Sequence, residues 1–173
     1  MRALPVLLVL LALVLGPAPS LACSCPSGGP FTEVAPEADL ILVGEVLRYH
    51  ENSMQVDVVQ VLKGDETRKR ITVWGDNGMQ CRPYVDRFPV KTRWVFALFR
   101  HEEQWAKEDL DNLGKPLPEW DGKAPFYMIS VCGAYWLEVQ GEKVRGEIYL
   151  QAAPNQAVES VSLDELKQWL ATR

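Results

Sequence analysis

Leu40-Ile41-Leu42-Val43-Gly44-Glu45-Val46-Leu47, followed after a polar stretch by Met54-Gln55-Val56-Asp57-Val58-Val59-Gln60-Val61-Leu62, decides the fold class. The first run is dense in branched apolar residues that fit a pleated, half-buried surface, so it reads as a strand. Gly44 inside it marks a bulge or a sharp bend. The second run alternates, with Met54, Val56 and Val58 on one face against Gln55 and Asp57, and then Val59 and Val61. It reads as a second strand, closed by the Lys63-Gly64-Asp65 turn.

The same reading recurs on both sides of this pair. Arg70–Trp74 alternates with Ile71 and Val73 on one face and stops at Gly75-Asp76-Asn77-Gly78. Trp94–Phe99 is almost wholly apolar, as expected of a strand buried on both faces. Phe126–Val131, Tyr135–Val139 and Val144–Leu150 are further predicted strands, with Gln140-Gly141-Glu142-Lys143 as the turn between the last two. Ser162 caps a final helix, Glu165 stands three residues later as its reciprocal partner, and Leu163, Leu166, Trp169 and Leu170 form one apolar face. Upstream, Phe31, Val34, Ala35 and Ala38 fall at helical spacing, and Pro36 makes the short helix they predict irregular. Five or more short strands with an end helix indicate a mainly β chain, a small curled barrel, and argue against a βαβ architecture.

The amino-terminal 22 residues have a different composition. Arg2, an apolar run from Leu4 to Leu15, the breakers Gly16, Pro17 and Pro19, and the small-x-small triplet Ser20-Leu21-Ala22 are the parts of a secretory signal peptide. A spanning helix needs about 20 apolar residues, and this run is broken too early. The expectation is a signal peptide over residues 1–22 and a mature domain over 23–173, secreted to an extracellular or periplasmic space. Of the 173 residues, 173 − 22 = 151 then remain, which suits a single core. Losing Arg2 moves the formal charge from −5 to −6, and beyond Arg68-Lys69-Arg70, read as a solvated turn, no basic cluster exists. Nucleic acid is therefore not an expected partner.

The mature chain carries Cys23, Cys25, Cys81 and Cys132. In an oxidising compartment they imply two disulfides. A Cys23–Cys25 ring is too small for ordinary disulfide geometry, which leaves two long-range pairings. Either ties the amino terminus to the middle and the end of the chain, for about 4–5 kcal/mol per bridge on the chain-entropy argument. A four-thiolate zinc site lacks the paired C-x-x-C spacing. Lipidation of Cys23 is the other alternative, and it alone would bring the protein to a membrane. It would also leave an odd number of thiols, and the residues before Cys23 fit a signal-peptidase site better.

Known enzyme motifs do not appear. Asp109, Asp111 and Gly114 match the start of a calcium loop, but Leu113 and Trp120 occupy positions that require oxygen ligands. His101-Glu102-Glu103 lacks the second histidine of a zinc-protease helix. The two histidines, His50 and His101, read as members of polar connecting segments with no nucleophile placed beside them. The long segment His101–Lys123 reads as a solvated loop. No enzyme, no cofactor and no intrinsic metal are expected.

Cys23-Ser24-Cys25-Pro26, followed by Ala38-Asp39-Leu40-Ile41-Leu42-Val43-Gly44-Glu45-Val46, resembles the tissue inhibitors of metalloproteinases, whose mature chains begin with Cys-x-Cys and run into an Ala-Asp strand segment. The resemblance continues through Val58 to Lys63-Gly64, Gly78-Met79-Gln80-Cys81 and Met128-Ile129-Ser130-Val131-Cys132, covering most of residues 23 to about 139. It implies an OB-like five-stranded closed β-barrel with flanking helices, with Cys23 paired to Cys81 and Cys25 to Cys132. It further implies that the free amine and carbonyl of Cys23 chelate the catalytic zinc of a partner protease. Ser24, Cys25, Pro26, Met79 and Gln80 would contact that protease. The chain has cysteines for two of the family's three domain disulfides, lacks its cysteine-rich carboxy-terminal domain, and places Pro26 directly after the second cysteine. Single-domain secreted relatives occur in bacteria, which makes a bacterial source and a monomer the expectation. The alternative is a non-inhibitory secreted OB-like module that the disulfides merely staple and that binds another protein.

Overall fold

A computed structural model describes residues 25, 28–76, 78, 81–101, 126–148 and 158–172. Its elements are α1 (Phe31–Val34) running into a 3-10 turn (Ala35–Glu37), β1 (Leu40–His50), β2 (Ser53–Lys63), β3 (Arg70–Trp74), a second 3-10 turn (Val85–Arg87), β4 (Arg93–His101), β5 (Phe126–Met128), β6 (Trp136–Gln140), β7 (Lys143–Ile148), β8 (Val158–Ser162) and α2 (Leu163–Ala171). The expected segment 1–22, the expected loop His101–Lys123 beyond its first residue, and the end of the strand expected to reach Leu150 lie outside the described residues.

β1 pairs antiparallel with β2, and β2 with β3. β3 runs parallel to β5, β5 antiparallel to β4, and β4 returns antiparallel to β1, closing a five-stranded barrel. β6, β7 and β8 continue from β4 as an antiparallel extension. Together with the short α1 and the carboxy-terminal α2 this is the mainly β, OB-like barrel that the strand pattern and the resemblance implied.

The core follows from the apolar runs. Val46, Met54, Val56, Ile71 and Val73 are buried together, and Val95, Phe96, Ala97 and Leu98 of β4 are all buried, as their unbroken apolarity predicted. Register shifts in the β1–β2 ladder fall at Ile41/Leu42, Val43/Gly44 and Val46/Arg48, so the bulge expected at Gly44 is present. A Cβ on Gly44 would collide with Val56 Cγ1 and stand 2.9 Å from Leu42 Cδ1. The glycine is there because two core side chains occupy that space.

The helices are anchored at their ends. Pro36 turns α1 into a 3-10 helix after four residues, and Lys63 Nζ donates to the carbonyls of Pro36 at 2.6 Å and Ala38 at 3.1 Å, satisfying acceptors that a helix end leaves open. Ser162 Oγ accepts from the Glu165 amide at 3.1 Å, the predicted cap of α2. Leu166 is buried, and Leu163, Trp169 and Leu170 pack against the core.

Four expectations need correction. β5 ends at Met128 instead of Val131, because the chain leaves the sheet to reach Cys132, and the Val131 amide bonds to the Cys81 carbonyl at 3.1 Å instead of a ladder partner. β8 was not foreseen; it has few apolar residues and is held by pairing Val144 to Val161 and Lys143 to Ser162. His50 and His101 end β1 and β4 instead of lying in connecting segments. Arg68-Lys69-Arg70 is not a free turn: Arg70 begins β3 and pairs with Asp57 at 2.6 Å, while Arg68 is drawn against Glu66 and Tyr127.

Candidate functional site

Of the site residues expected from sequence, Cys25 and its partner are directly visible. Cys25 is joined to Cys132 across 107 positions, with Cα atoms 5.2 Å apart. Cys81 is disulfide-bonded, and no described cysteine is free. Cys23, Ser24, Pro26, Met79 and Gln80 lie outside the described residues.

The disulfide sits in a ridge built from three segments. β5 and β6 share one edge of β4, and between them residues 129–135 leave the sheet. This excursion returns when Tyr135 O accepts from the Ala97 amide at 2.8 Å. Its other bonds reach sideways: Val131 N to Cys81 O at 3.1 Å and Ala134 N to Gly29 O at 2.9 Å. Cys132 N is held by Ser130 Oγ at 3.0 Å. The segment after Cys81 is fixed in turn, because Pro83 O accepts from Asp76 N at 3.0 Å and Asn52 O, in the β1–β2 turn, accepts from Gly75 N at 2.7 Å. The turn of β1–β2, the end of β3, the Cys81 segment and the Gly29 segment ahead of α1 are thus one hydrogen-bonded platform. The disulfide and the Gly29 contact fasten the segment ahead of α1 to the loop between β5 and β6.

Beside the ridge lies an open groove of about 1010 Å³. Its lining includes Gly28, Gly29 and Gly133, and a wall in which Arg87, Trp94 and Trp136 cluster. Arg87 lies 4.9 Å over the Trp136 ring, a cation–π contact. Phe88 supports this wall from beneath, meeting Trp94, Phe96 and Trp136 edge-on at 5.2, 5.2 and 5.5 Å. Glu138, Arg145 and Glu147 add mixed charge to the groove. Sequence reading missed the groove because its walls come from loops and strand ends far apart in the chain. The doublet Gly28-Gly29 and Gly133 were the available signals.

The most perturbed titrating groups lie elsewhere. Burial pushes the Glu66 carboxyl up, but hydrogen bonds from Arg68 and Tyr127 and the Arg68 charge outweigh it and hold the group at about 2. Tyr127 is pushed up to about 12, first by burial and then by its 2.8 Å hydrogen bond to Glu66 Oε2 and that carboxylate's charge. Tyr49 is raised by burial and by Asp86, and its hydroxyl donates to Phe88 O at 2.7 Å. None of these three lines the groove. Glu66, Arg68 and Tyr127 join the β2–β3 connection to β5, at the parallel pair that closes the barrel.

Among the described residues no group of three or more His, Cys, Asp or Glu side chains could hold a metal ion, and no helix is long and apolar enough to cross a membrane. No family model, curated protein or solved structure matches the chain.

Proposed function

We propose that the protein is a secreted inhibitor of zinc metalloproteinases, built like the tissue inhibitors of metalloproteinases, and that its working end is a mature amino terminus created by cleavage after Ala22. The observation that carries this reading is the Cys25–Cys132 disulfide, which ties the amino-terminal segment to a loop of an OB-like barrel. The remaining cysteine, Cys23, pairs with Cys81 in this reading.

The chemistry is straightforward. A catalytic zinc has three protein ligands and an open position filled by water. The neutral α-amine and the carbonyl oxygen of Cys23 displace that water and occupy the position. Ser24, Cys25 and Pro26 then run along the protease cleft, and Met79-Gln80 flanks the terminus beside Cys81. Two disulfides hold the wedge in its bound shape before association, so little ordering entropy is lost on binding.

The test is titration of the purified mature protein into a panel of zinc metalloproteinase assays, with an Ala added before Cys23 as the control. Inhibition abolished by the added residue supports the reading, because the amine no longer belongs to Cys23. Inhibition unaffected by it, or none across the panel, assigns the chain to the alternative, a secreted protein-binding module. An intact mass with lipid on Cys23, or with residues ahead of it, also defeats chelation.

A further inference from the structure

We infer that Tyr84 and Arg87, on the 3-10 turn after Cys81, form a second contact point for the same metalloproteinase that the amino terminus engages. This rests on the inhibitor reading and names residues that set its specificity. A stable protein–protein interface takes about 800 Å² and some 20–30 residues from each partner. A wedge of a few residues at the amino terminus falls far short, so a tight complex needs more of the surface around the ridge.

Tyr84 O accepts from Arg87 N at 3.2 Å and Val85 O from Phe88 N at 3.1 Å. In a 3-10 turn positions i and i+3 eclipse, so Tyr84 and Arg87 share one edge while Val85 and Phe88 share the other. Burial follows that division: Val85 and Phe88 are buried, Tyr84 and Arg87 exposed. Among the described residues Val59, Tyr84 and Val90 are the exposed large hydrophobics, and Tyr84, at 61%, is the most exposed.

Arg87 lines the same groove as Gly28, Val131 and Gly133, the residues that flank the Cys25–Cys132 bridge, so the turn's outer edge borders the ridge. Tyr84 is three residues from Cys81, within about 11 Å of chain. It is held on one side by the Pro83–Asp76 bond and on the other by the turn, and Arg87 is laid against Trp136. Tyrosine, tryptophan and arginine are the residues in which interface energy concentrates, and a preset tyrosine orders at little entropic expense. In this contact Tyr84 supplies exposed aromatic area and Arg87 supplies N–H donors.

The experiment compares the parent protein with Tyr84→Ala, Arg87→Glu and the conservative Arg87→Lys, each with and without an Ala before Cys23, in the same protease panel. Melting temperatures of all variants are measured alongside. Tyr84→Ala and Arg87→Glu are expected to weaken inhibition by about 10-fold or more with melting temperatures within a few degrees of the parent's, and Arg87→Lys by less. Variants that inhibit within about twofold of the parent overturn this inference and leave the inhibitor reading standing. A parent that inhibits no member of the panel overturns both.

Discussion

Replacing Glu66 by Ala removes the carboxylate that ties the β2–β3 connection to β5. Its side chain is 5% exposed and meets Arg68 Nη2 at 2.6 Å, while Tyr127, fully buried, donates to it at 2.8 Å. Two routes give the magnitude. The carboxyl is displaced from 4.5 to about 2, and at about 1.4 kcal/mol per unit this sets a ceiling of roughly 3.5 kcal/mol. Arg68 is 26% exposed, so solvent screening lowers that figure. Separately, a buried Tyr127 hydroxyl without an acceptor costs about 1–3 kcal/mol. These overlap, and a loss of about 2 kcal/mol at pH 7 is expected. Because the folded pKa is depressed, the ionic part of the stabilisation is present above about 4.5 and disappears as pH falls through about 2. Tyr127 has the opposite sign: raised to about 12, it contributes stability that is complete below 10.0 and lost as pH rises through about 12. Urea unfolding at a series of pH values checks this, provided the slope with denaturant is the same in both proteins. The gap between parent and Glu66→Ala should narrow from pH 7 to pH 2. A variant within about 0.5 kcal/mol of the parent at pH 7, or a gap that does not change with pH, refutes the assigned role of this cluster.

The double substitution Cys25→Ser with Cys132→Ser reopens a link spanning 107 positions; the expected loss is about 4–5 kcal/mol, seen as a melting temperature lower by on the order of 10–20 °C. Gly44→Ala pushes a methyl into Val56 and Leu42 and should cost about 1–3 kcal/mol by chemical denaturation, and a neutral result would mean that the bulge yields easily. If the amine of Cys23 is the zinc ligand, inhibition should weaken by up to about tenfold per pH unit below its reference pKa of roughly 7.7–8.0. Inhibition constants flat from pH 8 to pH 6, after correction for the protease's own profile, would remove the amine from the mechanism.

Local patterns made much of the fold legible. The strand from Met54 to Leu62, the apolar run from Trp94 to Phe99, the glycine at position 44 and the cap at Ser162 each depend on near neighbours, and each appears in the structure, although burial along β2 does not alternate, since Gln55 is buried with Met54 and Val56. What stayed hidden depends on distant partners. The truncation of β5 follows from bonds of Val131 and Cys132 to residues far upstream, and β8 exists because β7 offers it an edge. Arg68 looked like part of a solvated run because nothing near it announced Tyr127. The site divides the same way. The cysteines marked the ridge from sequence alone, whereas Arg87 and Trp136 are 136 − 87 = 49 positions apart, with β4 and β5 between them, and meet only in the folded chain.

The parallel pairing of β3 with β5 also bears on how the protein reaches its native state. Val73 and Tyr127 are 127 − 73 = 54 residues apart and form one of two registered pairs in that seam. Antiparallel neighbours such as β1 and β2 can zip from a tight turn, but this seam must await a long loop closure before any contact rewards it. Barrel closure is therefore the expected late event of folding. A chain that has already oxidised Cys25 to Cys132 holds the far side of that loop in place, so oxidative folding and barrel closure should accelerate together.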